Sequence, residues 1–66
     1  MRVIVNGDAI ELPADATLID LLQMLALGSI KVAVELNQTI VPRSQHALQR
    51  LQQDDCIEIV YAIGGG

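Results

Sequence analysis

Two hydrophobic periods alternate along this chain, and each change of period marks an element. "RVIV" at 2–5 is β-branched and predicts a strand. "NGD" at 6–8 predicts a tight hairpin turn, because Asn and Gly tolerate positive φ. "AIEL" at 9–12 alternates and predicts the returning strand, which Pro13 ends because it offers no ladder donor. The period then changes. In "DATLIDLLQMLALG" at 15–28, Leu18, Leu21, Leu22 and Leu25 fall at i, i+3, i+4 and i+7, one apolar helical face. Thr17 is placed to cap this helix, with Asp20 three residues later in a weaker form of the capping box. Gly28 is expected to close it at the left-handed C′ position. Ile19, Met24 and Leu27 lie off the main stripe, at the edges of a small core.

Strand signals then return. "KVAVELN" at 31–37 predicts a third strand, and "QTIV" at 38–41 a short fourth before Pro42. "SQHALQRL" at 44–51 suggests one or two helical turns, and "CIEIVYAI" at 56–63 a long last strand. The order ββαββ predicts an α+β fold: a mixed sheet of four to five strands with one main helix packed on one face. Alternation turns Val3, Val5, Ile10, Leu12, Val32, Val34, Ile57 and Ile59 toward the helix. Ile4, Val60 and Ala62 point the other way; with the first and last strands adjacent, they are expected to form an apolar docking patch.

Composition narrows the function. The 66 residues make one small domain, and 52% of them are apolar, enough for a packed core. Eight Asp and Glu against four Lys and Arg leave a formal charge of −4. Four scattered cations form no phosphate-binding face, so nucleic acid is not an expected partner, whereas a basic protein surface is. One cysteine excludes an internal disulfide and a multi-thiolate metal site. No apolar run approaches the roughly 20 residues that span a bilayer, and "MRVIVNGD" lacks signal-peptide anatomy, so no membrane association and a cytoplasmic location are expected.

Catalytic groups are scarce. The single histidine, His46, is expected on the surface of a helical turn, without a chemical role. Cys56 has Asp54, Asp55 and Glu58 as neighbours, which disfavour a thiolate, so it is expected to be a small packing residue. Asp54 and Asp55 predict a turn. The chain ends in "IGGG". Residues 1–63 are expected to form the domain and 64–66 a flexible glycine tail. A carboxylate is unreactive at neutral pH until phosphoryl chemistry turns it into an acyl-adenylate. Glycine has no Cβ to clash in a narrow channel. Three glycines carry a carboxylate about 10 Å beyond the last strand, far enough to enter another protein's active site.

A small ββαββ sheet ending in Gly-Gly resembles the ubiquitin-like β-grasp pattern. Three stretches are similar to the ThiS family, the sulfur carriers of thiamin thiazole synthesis: "VNGDAIELPADATLIDLL" at 5–22, "VAVELNQTIVPRSQ" at 32–45 and "IEIVYAIGGG" at 57–66. The resemblance implies no catalytic residue and no bound cofactor or metal. It implies a ThiF-like adenylating enzyme that consumes ATP on Gly66, a cysteine desulfurase pathway as sulfur source, and a thiazole synthase (ThiG-like) as recipient. Gly66 would bear the sulfur as a thiocarboxylate, with Gly65 the other half of the motif. The alternatives are a carrier for molybdopterin or another sulfur pathway, and a non-covalent β-grasp module of the TGS type. Where the family commonly has a Gly-Asp turn before the last strand, this chain has "QQDDC", and Asp takes the left-handed conformation less readily than Gly.

Overall fold

In the computed structural model, which describes residues 1–61, the chain runs β1 (Arg2–Val5), β2 (Asp8–Glu11), α1 (Leu18–Met24), β3 (Val32–Leu36), β4 (Thr39–Val41) and β5 (Cys56–Tyr61). The strands form a single mixed sheet in the spatial order β2-β1-β5-β3-β4. β5 is therefore central, parallel to β1 and antiparallel to β3. Both hairpins close through two-residue turns of positive φ: Asn6 at 49° with Gly7 at 90°, and Asn37 at 50° with Gln38 at 72°. Turns of this hand match the twist of the strands they join.

The α+β architecture is as the periodicity predicts. Val3, Val5, Leu12, Val34, Ile57 and Ile59 are buried with Leu18, Leu21 and Leu22 of α1 in one core. Ile10 and Val32 are half-buried at its margin.

The start of α1 leaves none of its first amides without a partner. Asp20 N–H bonds Thr17 Oγ1, and Thr17 N–H bonds the Asp20 carboxylate, the capping box expected. Leu18 N–H bonds Gln49 O at 2.8 Å and Ile19 N–H bonds His46 O at 3.0 Å. The segment 44–51 has the one or two helical turns its sequence suggests: a 3-10 turn (Arg43–Gln45) and a second turn in which Gln49 N–H bonds Gln45 O at 2.9 Å. Its His46 and Gln49 carbonyls serve α1.

The other end of α1 departs from expectation. Ala26, not Gly28, takes the left-handed conformation, at φ 61°. Ala26 N–H bonds Gln23 O at 3.0 Å and Leu27 N–H bonds Leu22 O at 2.7 Å, the paired bonds of a Schellman closure. The helix thus ends two residues early. Leu27 is turned back into the core, while Leu25 is half-buried and Met24 exposed.

His46 also differs from expectation. It is 3% exposed, with Nε2 3.0 Å from Val41 O. It joins the 3-10 turn to the edge strand β4 and is a structural residue of the interior.

Candidate functional site

β5 leads to the glycines, and the fold grips it from both sides. On the β1 side, Asn6 N–H bonds Ile57 O at 2.9 Å. The Asn6 side chain continues the ladder: Nδ2 donates to Ile59 O at 3.2 Å, and Ile59 N–H donates to Oδ1 at 2.8 Å. On the β3 side, Asn37 N–H bonds Cys56 O at 2.7 Å, and Cys56 N–H donates to Asn37 Oδ1 at 2.9 Å. Asn37 Nδ2 also donates to Asp55 Oδ1 at 3.0 Å. The same residue type therefore shapes each hairpin corner and clamps β5 with its side chain. The sequence signal was visible as Asn at two turns, but the second use required knowing which strand lies beside them.

The turn before β5 is held by its own carboxylates. Asp54 occupies the left-handed region at φ 68°. Arg2 Nη2 donates to Asp54 Oδ1 at 2.7 Å, and the Arg2 guanidinium is held above its usual pKa, first by that hydrogen bond and then by the Asp54 charge. Asp55 Oδ2 accepts from Gln52 N–H at 2.7 Å. The two aspartates are structural, as the turn signal suggests. Cys56 is exposed, not packed, with Sγ 4.0 Å from Asp54 O. Its small side chain leaves the core because strand alternation puts Ile57 and Ile59 inward.

The face of the sheet away from α1 carries the outward residues of β5: Cys56, Glu58 and Val60. Ile4 is the register partner of Cys56, and Val60 pairs with Ala33 of β3. Val60 is four residues beyond Cys56, about 13 Å along the strand at the usual rise. Glu58 lies between them, directly opposite Glu35. Ile4, half-buried, and Val60, 57% exposed, are thus on one face but do not form one contiguous apolar patch. The exposed apolar surface lies toward Val60, with Ile40 of β4 next to Glu35 in register and 67% exposed. Ala62, Gly65 and Gly66 lie outside the described residues.

Among the described residues no group of three or more His, Cys, Asp or Glu is placed to hold a metal. No helix among them is long and apolar enough to cross a membrane.

Comparison with known proteins covers the chain as a whole. A profile of the ThiS family matches residues 3–66. A protein named thiazole synthase from Magnetococcus marinus is 42% identical over 66 residues, all of this chain and 20% of its own length. A thiazole synthase from Paramagnetospirillum magneticum matches with the same identity and coverage. The chain therefore spans about a fifth of the length of these two relatives. The sulfur carrier protein ThiS of Escherichia coli is 35% identical, with both chains covered in full. The crystal structure of the thiamine biosynthesis protein (ThiS) from Geobacter metallireducens superimposes with a TM-score of 0.84 at 28% identity, again over both whole chains.

Proposed function

The chain belongs to the ThiS family, and from that premise we propose that it carries sulfur for thiazole formation, as a protein acted on by enzymes and not itself an enzyme. One observation carries the proposal: the family match runs through to Gly66 and so includes the glycines. With Gly66 as the end of the chain, its carboxylate attacks the α-phosphorus of ATP in the active site of a ThiF-like partner. Pyrophosphate leaves, and an acyl-adenylate remains on Gly66. The terminal sulfur of a desulfurase persulfide then displaces AMP, giving an acyl disulfide. A second thiol attacks the desulfurase cysteine's own sulfur, forms a disulfide with it and releases the thiocarboxylate as the S–S bond breaks. ATP is consumed by the partner; the carrier needs no cofactor of its own.

Thiazole synthase is the proposed recipient. Its support is that two proteins of that name contain a stretch 42% identical to this entire chain. That favours thiazole formation over molybdopterin synthesis as the destination. The proposed docking surface is centred on Val60 and continues toward Ala62, with Glu35 and Glu58 facing a basic partner and Ile4 at its far margin. Like charges directly opposite across two strands destabilise a sheet. A cation from a partner relieves that repulsion on binding.

The test is to append a single alanine after Gly66 and follow pyrophosphate release by the adenylating enzyme. The extended chain is expected to be inert while folding normally. Adenylation of the extended chain at the original rate would contradict the need for a terminal Gly66, and no pyrophosphate release from the unextended chain would contradict the carrier role and favour a non-covalent module.

A further inference from the structure

A cleft of about 160 Å³ opens between the end of α1 and the turn that follows β4. Leu22 and Val32 are among its apolar lining, Ile30 is exposed at its rim, and Arg43 and His46 supply its polar groups. The volume is well below the roughly 300–1,000 Å³ of a metabolite site. It is close to the roughly 150 Å³ that accepts a benzene-sized group, so it fits one side chain.

Two polar residues, His46 and Arg43, stand at the cleft. His46 Nε2 faces the Val41 carbonyl, so that nitrogen carries the proton, and Nδ1 has no partner among the described residues. His46 is among the residues that line the cleft. Arg43 is exposed and takes part in neither ion pair found among the described residues. A guanidinium beside an apolar cleft, in neither of those ion pairs, selects a carboxylate.

We infer that this cleft receives a segment of a partner protein in which an aliphatic side chain is followed by Asp or Glu. The side chain fills the space beside Leu22 and Val32, and the carboxylate meets Arg43. Val32 is the register partner of Tyr61, the last described residue of β5. The cleft therefore lies beside the last described residue of β5. The identity of that protein rests on the carrier role proposed above; the chemistry of the cleft does not.

The experiment is an NMR titration of the isotope-labelled full chain with acetyl-Leu-Glu-amide, acetyl-Leu-Gln-amide and 4-methylpentanoate. Because it involves no partner enzyme, its outcome is independent of whether sulfur is carried. The acidic peptide is expected to shift the amides of Ile19, Gly28 and Ala47. It should bind on the order of threefold more tightly than the Gln peptide, as one partly exposed ion pair provides. R43Q should erase that difference without changing the spectrum elsewhere. No shifts at the cleft, or equal binding of both peptides, would overturn the inference. Tighter binding of 4-methylpentanoate than of the peptide would replace the protein segment with a small carboxylic acid.

Discussion

Ala26 holds φ 61° with a Cβ that clashes in that conformation, and it does so at the exposed closing turn of α1. Replacing it with glycine removes a strain of about 1 kcal/mol. Ala26→Gly is therefore expected to raise the melting temperature by roughly 4–8 °C, a shift typical of that free energy in a domain this small. A thermal melt that falls instead would show that the turn is not strained. The chain's own Gly28 sits where the sequence invites a cap, yet its φ is not positive. What decided the matter was Leu27: ending the helix at Leu25 lets Leu27 return to the core. That choice depends on tertiary burial, which helix periodicity does not encode. Cys56 is another single-residue test. It is exposed and its thiol takes no part in the proposed chemistry, so Cys56→Ser should retain sulfur transfer at an unchanged rate. At the glycines, Gly65→Val places a branched Cβ in the proposed channel, and adenylation by the partner should fall to background while the melting temperature holds.

At the scale of elements, the two hairpins converge on β5. Asn6→Gly keeps the positive φ but deletes both side-chain bonds to Ile59. Losing them should lower stability by about 1–2 kcal/mol. Hydrogen exchange should locate the loss, with faster exchange at Ile59 and little change in α1. The strands, the first hairpin turn and the capping box were legible in the sequence because each depends on local chemistry. The clamps were not, since Asn6 and Ile59 are 53 positions apart. The docking of the 44–51 turns on α1 was not legible for a similar reason: the carbonyls of His46 and Gln49 meet the first amides of α1 across a long stretch of chain.

For the molecule as a whole, a thin core leaves little reserve. Leu21 is fully buried, and Leu21→Ala should remove about 3 kcal/mol. That is a large part of the roughly 3–10 kcal/mol expected for a chain of this length. The globule is therefore expected to be a sensitive but separate carrier of its glycines: core variants should lose folding and transfer together, whereas variants at 64–66 should lose transfer alone. The candidate site was legible where it rests on sequence, in the terminal "IGGG" and in Val60 on the outward face. Its division by Glu58 was not, because that follows from the register between β1 and β5. The most direct measurement is the intact mass of the chain after incubation with ATP, a ThiF-like enzyme, a cysteine desulfurase, cysteine and a thiol. A gain equal to one oxygen replaced by sulfur, confined to the peptide containing Gly66, is the predicted result. An unchanged mass, with the same enzymes loading another carrier, would contradict the account.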